Sequence, residues 1–230
     1  MTHCRRLVYT LALTTLMSVT LFSASGCAGA LMMPFYLING TDAPAVYKNE
    51  MKELPKGSKM LVVCRSNLNL YGASKPDADL SQSVTYVVST EMKDKKKKKL
   101  EWIPYSEIEE NFDEEEISSL SFEKIGHQLD ADYVIGVEID SFDIHHSTQF
   151  YQGNAKVLVR MVRVADGETI VRESMPVYTY PANPVPSADY DEIDFQRTYT
   201  FRLAKNIATL FCPHDPHAEY ATDADFAKRR

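Results

Sequence analysis

Two alternating runs followed by one tight turn constrain this chain more than any other feature of its 230 residues. Tyr133, Ile135, Val137 and Ile139 alternate with Val134, Gly136, Glu138 and Asp140, a period of two that marks an extended strand. A second run covers Ala155 to Val164, with Val157, Val159 and Met161 opposite Lys156 and Arg160. Asp166-Gly167 separates it from Thr169-Ile170-Val171. Asp-Gly between apolar runs is a hairpin signal, because glycine adopts the positive φ that a tight reversal needs. Pro176 has no N–H for a ladder, so the third strand lies at a sheet edge or ends there.

Other segments add helices and shorter strands. Lys59 to Cys64, opened by Gly57-Ser58, reads as a buried strand around Met60-Leu61-Val62-Val63. Asn67 to Pro76 reads as a loop. Asp79 looks like a helix N-cap with Gln82 three residues on, and Leu80, Val84, Val87 and Val88 form the stripe of that helix. Leu100 to Ile103 begins a second strand, and Pro104 to Glu116 reads as an acidic connector. Ser118-Ser119 starts a helix with Phe122, Ile125 and Leu129 on one side. Pro181 to Pro186 reads as a rigid loop. A last helix covers Asp189 to Phe211, with Phe195, Tyr199, Leu203, Ile207 and Leu210 as its buried stripe, and Pro213 stops it. The order β-α-β-α-β-β-β-α predicts an α/β fold, a two-layer sandwich in which helices pack on a mixed sheet.

The chain begins with a basic pair, Arg5-Arg6, then an apolar run from Leu7 to Phe22, then Ser23-Ala24-Ser25-Gly26 ahead of Cys27. That arrangement is a secretory signal, short for a membrane span. The cysteine behind small residues resembles the lipobox of bacterial lipoproteins, although Ala24 stands where that family more often has Leu. The resemblance implies cleavage before Cys27 and acyl chains on that new N-terminal cysteine, and two or more buried chains hold a protein stably at a membrane. Ala28 after the cysteine fits sorting to an outer membrane. The organisation expected is a signal over 1–26, a lipidated linker over 27–56, an α/β domain over 57–212 and a polar, disordered tail over 213–230. Within the linker, the apolar run Leu31 to Ile38 lies against the bilayer or packs on the domain.

Removing the signal takes away two arginines and moves the formal charge from −7 to −9. An acidic chain of this kind lacks the clustered cations that nucleic-acid phosphates require. Of four cysteines, Cys4 leaves with the signal, Cys27 carries lipid, and Cys64 and Cys212 remain. An exported compartment permits those two to pair; two buried thiols are the plainer alternative.

A helix ending in Leu129-Asp130-Ala131-Asp132, running into Tyr133-Val134-Ile135-Gly136 and then a strand pair closed by Asp166-Gly167, resembles envelope lipoproteins of the TolB amino-terminal, CsgG and LpoB type. The likeness covers roughly Lys59 to Phe211 in element order. Met33-Pro34-Phe35-Tyr36-Leu37-Ile38-Asn39-Gly40-Thr41 and Pro213-His214-Asp215-Pro216-His217 are similar to a second group of bacterial lipoproteins. Neither resemblance supplies a catalytic motif, and fold alone does not license function.

Three clusters merit weighing as sites. Cys212, His214, Asp215 and His217 bring metal-ligand types within six residues, but Pro213 and Pro216 stiffen them into a helix-ending loop. His145 and His146 follow a strand bearing Glu138, Asp140 and Asp143, a pattern that acid–base chemistry uses. Adjacent strand residues face opposite ways, however, so one site can hold only one of the two histidines. Lys95 to Lys99 suits an anionic partner or a solvated loop, and Asp113 to Glu116 carries the opposite sign. There is no P-loop, no G-x-G-x-x-G, no G-x-S-x-G, no H-E-x-x-H and no C-x-x-C. The expectation is therefore a non-catalytic envelope module. It carries lipid on Cys27, needs no cofactor or metal, and has an envelope protein or a second copy as partner. The alternative is a hydrolase using His145 or His146 with nearby carboxylates.

Overall fold

The computed structural model describes residues 42–66, 76–94 and 100–216. The expected signal, Cys27, the Leu31–Ile38 run, residues 67–75 of the expected Asn67 to Pro76 loop, the Lys95–Lys99 run and everything from His217 onward lie outside the described residues.

The elements run α1 (Lys48–Glu53), β1 (Lys59–Ser66), α2 (Pro76–Asp94), β2 (Glu101–Trp102), α3 (Tyr105–Asn111), α4 (Glu114–Ser119) and α5 (Phe122–Gln128), then β3 (Tyr133–Ser147), β4 (Phe150–Arg163), β5 (Thr169–Ser174), β6 (Tyr178–Pro186), a 3-10 turn (Ser187–Asp189) and α6 (Glu192–Ala208). They build an open mixed sheet with helices packed on it, in the order β2-β1-β3-β4-β5, with β6 also on β4. β1 is parallel to β2 and β3, and β3 is antiparallel to β4. Because β3 follows β4 along its whole length, β5 and β6 share the opposite side of β4, one on each half. The reversal at Asp166-Gly167 is present, with Gly167 at φ 69°. Arg163 N–H donates to the Glu168 carbonyl at 2.9 Å across it.

Met60 to Cys64 is buried on both faces of β1, which requires cover on both sides of the sheet. On one face Leu80, Val84, Val87 and Val88 of α2 and Phe195, Tyr199, Leu203 and Ile207 of α6 pack on Val62, Ile135, Val159 and Met161. Met51 of α1 and Leu54 join that core from within residues 27–56. Ahead of them Ala43 and His214 exchange backbone hydrogen bonds of 2.7 and 3.0 Å. On the other face Ile108, Phe112, Phe122 and Ile125 cover Leu61, Val63, Val134 and Val162.

Five boundaries differ from the sequence expectation. The last helix is shorter at both ends than Asp189 to Phe211, and Asp191 caps its start by accepting from the Ile193 and Asp194 N–H groups. α2 begins at Pro76, so Asp79 stands in the first turn and is no cap. A proline fits there because the first helical N–H has no partner to lose. Asp77 and Ser81 turn to β1 and accept the Ser66 and Cys64 N–H groups at 3.0 and 2.8 Å. The acidic connector Pro104 to Glu116 holds α3 and the first half of α4, whose outer acids hide Ile108 and Phe112 beneath them. Ser118-Ser119 ends α4, and Ser121 caps α5 by accepting from Lys124 N–H at 3.3 Å. The proline-rich 181–186 loop is strand β6, tolerated because an edge strand needs ladder bonds on one side only.

Gly153 in β4 lies under the ring of fully buried Tyr199, and a Cβ there would sit 2.1 Å from a ring carbon. Tyr199 cannot retreat easily, since its O–H donates to the Tyr178 carbonyl at 2.8 Å. Gly153→Ala is expected to destabilise the domain by about 1–3 kcal/mol through overpacking. A chemical-denaturation midpoint equal to that of the parent chain would contradict this packing.

Candidate interaction surface

β4 leaves one side to β5 and β6, and these two strands form an open edge of the sheet among the described residues. β6 is guarded by Pro181, Pro184 and Pro186, which offer no N–H to an incoming strand. β5 contains no proline. Met175 N–H donates to the Val157 carbonyl at 3.0 Å, just beyond the Ser174–Leu158 pair. Bonding alternates along an antiparallel ladder, so the backbone N–H and C=O of Arg172 and Ser174 point away from β4. Both residues are exposed, and Val177 after them is 57% exposed.

β5 is braced from beneath. Tyr47 O–H donates to a Glu173 carboxylate oxygen at 2.6 Å. That bond, then burial and the nearby carboxylate charges, push the Tyr47 phenol up from 10.0 to about 12. A phenol whose pKa rises on folding adds stability below pH 10 and loses it as pH climbs from 10 towards 12. Tyr47→Phe is expected to unfold less steeply than the parent chain across that window, measured by urea midpoints. Identical slopes would show that the bond does not form.

The other face of the same strands carries a charged row. Arg65 of β1 is the register partner of Glu138 in β3, and Arg160 in β4 is that of Arg172 in β5. Glu138, with a side chain 9% exposed, accepts from Arg65 at 2.6 Å and from Arg160 at 2.7 Å. Arg65 also donates to the Leu120 carbonyl at 2.7 Å and stacks 4.2 Å above the Phe122 ring. The Nε atoms of Arg65 and Arg160 are buried without a hydrogen-bond partner. Arg172 makes no ion pair among the described residues. One carboxylate thus serves two guanidinium groups, and Arg172 stands opposite Arg160 one strand further out. The strand pattern sets Lys156 and Arg160 opposite Val157, Val159 and Met161 and gives no link from Arg160 to Glu138; strand pairing joins them.

The other expected site residues do not converge. His145 lies on the exposed end of β3, 3.7 Å from Asp143 and 3.7 Å from Glu192, edge-on to Tyr151. His146 is exposed beside it. Glu138 is seven residues away and taken by two arginines, and Asp140 lies 3.9 Å from Lys156. Cys64 and Cys212 are buried thiols and form no disulfide. Burial pushes the Cys64 thiol strongly upward, away from the reactive thiolate. His214 is half-buried with its Nδ1 enclosed, Asp215 is exposed, and His217 lies outside the described residues. Glu114 to Glu116 lie on exposed α4, capped by Asp113 and Glu116 in a reciprocal box. Among the described residues no group of three His, Cys, Asp or Glu side chains is placed to hold a metal ion. None of the described helices is long and apolar enough to cross a membrane. An open cleft of about 410 Å³ at the opposite end of the sheet is lined by Lys56, His127, Asp132, Tyr133 and Arg163. Its charges serve the fold: Asp132 accepts the Lys59 N–H at 2.8 Å, and Arg163 pairs with Asp166 and Glu168.

No protein-family model and no curated protein sequence matches the chain. Among solved structures it is similar to the PelC dodecamer from Paraburkholderia phytofirmans, with 10% identity and a TM-score of 0.40 over 68% of this chain and 91% of that one. It is similar to lipoprotein GNA1162 from Neisseria meningitidis, with 13% identity and a TM-score of 0.36 over 67% and 99%. The C-terminal domain of LpoB from Escherichia coli matches with 14% identity and a TM-score of 0.32 over 53% and 82%. One of these neighbours is thus a bacterial lipoprotein.

Proposed function

We propose that this chain is a non-catalytic binding or assembly module of a bacterial cell envelope. It is held on a membrane, the outer one in preference to the inner, by lipid on Cys27. The observation that carries this reading is the unguarded β5 edge, whose Arg172 and Ser174 backbone groups are free to pair with another strand. The tether adds to it. Confinement to a layer raises the local concentration of partners, so a short edge with few hydrogen bonds suffices for association. The hydrolase alternative needs His145 or His146 to work with a carboxylate in an enclosed site. Both histidines are exposed, and the carboxylates nearest the His145 ring lie beyond hydrogen-bond distance of its nitrogens at 3.7 Å, Asp143 accepting instead from the His145 backbone N–H.

A photo-crosslinking residue at Ser174 of the full lipidated chain, irradiated in intact envelopes, tests the reading. The expected result is one discrete protein adduct. It should be absent when the probe replaces exposed Tyr86 on the remote helix α2. Equal, diffuse labelling from both positions would overturn the proposed edge.

A further inference from the structure

We infer that the β5 edge selects an extended partner segment carrying a carboxylate, which adds beside β5 with its Asp or Glu side chain over Arg172 and Arg160. This rests on the edge reading above and names the chemistry of the partner.

The first argument is charge. Arg160 and Arg172 stand directly opposite each other on neighbouring strands, an unfavourable arrangement for like charges. Arg160 shares Glu138 with Arg65, so that carboxylate is already engaged twice. Arg172 makes no ion pair among the described residues, and the row ends at an open edge with a surplus of two positive charges. The second argument is geometry. A strand added beside β5 places one residue about 5 Å from Arg172, projecting to the same face. A Glu or Asp at that position accepts from the Arg172 guanidinium directly and faces Arg160 one strand further in. Charge-assisted bonds to guanidinium groups are among the stronger and more directional in proteins.

The third argument excludes the simplest partner, β5 of a second copy. A symmetric antiparallel pairing that continues the sheet keeps each face continuous. The only carboxylate in β5 is Glu173, which lies on the opposite face from Arg172 and is bonded to Tyr47. No register of such a pair therefore sets a carboxylate over Arg172. A register centred on Arg172 sets that arginine against its own copy. The edge thus repels itself and attracts an acidic strand.

A plainer role for Arg172 is to guard the edge against every strand. Fluorescence anisotropy separates the two. The probes are capped, labelled seven-residue peptides of alternating Thr and Val with a central Glu, Gln or Lys. The receptor is the full chain in detergent. The Glu peptide is expected to bind about tenfold more tightly than the Gln peptide, and the Lys peptide more weakly still. Concentrated salt should narrow the difference. Arg172→Gln should erase the preference for Glu while both peptides still bind, and Arg172→Pro should abolish binding of both. Equal affinity for the Glu and Gln peptides would overturn the carboxylate inference and leave the edge reading standing. Absence of binding by all three peptides, or binding that survives Arg172→Pro, would overturn the edge reading itself.

Discussion

Replacing Glu138 with glutamine is expected to destabilise the domain by about 3 kcal/mol, because it leaves two arginines beside each other without their shared counter-ion. Glu138 sits in the middle of a strand whose neighbours from Tyr133 to Ile139 are all buried. It joins β1 to β4 across β3 through bonds of 2.6 and 2.7 Å. Removing one member of a buried ion pair costs about 3–5 kcal/mol, and the lower end applies here because the Arg160 side chain is 30% exposed. Against a typical domain stability of about 5–15 kcal/mol, such a loss shifts the unfolding midpoint by a large fraction. Urea unfolding of Glu138→Gln beside the parent chain measures it. A midpoint that does not move would mean that the two arginines find other acceptors, and the charged row would lose its structural role.

Cys27→Ser is expected to have an all-or-none effect on the tether. A serine hydroxyl forms no thioether, so the diacylglyceryl group does not attach and the signal over 1–26 is retained. The parent chain should give a mature N-terminal peptide beginning at Cys27 and heavier by its acyl groups. Cys27→Ser should give the uncleaved, unmodified precursor. One chain of myristoyl length binds membranes marginally, whereas two hold a protein stably. A parent chain whose mature N-terminus carries no acyl mass would remove the tether from the proposal.

The elements legible in the sequence are those whose apolar period stands unbroken. The β3 and β4 alternation, the α2 stripe at Leu80, Val84, Val87 and Val88, and the α6 stripe from Phe195 to Ile207 are read from residues that pack where their spacing places them. The Asp166-Gly167 turn is legible because glycine tolerates the positive φ found there. Other parts were hidden by their own chemistry. Three prolines make β6 look like a loop, although an edge strand bonds on one side only and accepts them. Acidic outer faces mask α3 and α4, each too short for its apolar residues to show a period. β3 continues to Ser147, past the point where polar residues begin, since it there lies beside β4 at the end of a long arm. The charged row was illegible for a different reason. Arg65, Glu138 and Arg160 belong to three strands, and no local pattern gives the register that brings them together.

The yield of the Ser174 crosslink in intact envelopes, compared across variants at matched protein level, tests the binding-module reading most directly. Arg172→Pro removes one outward N–H and the edge cation while leaving the ladder to β4 in place. It is expected to reduce the adduct about tenfold or more. His145→Ala, His146→Ala and His214→Ala should each leave it within about twofold, since substitutions away from an interface change binding little. Loss of the adduct in the histidine variants with retention in Arg172→Pro would contradict a module that works through its β5 edge.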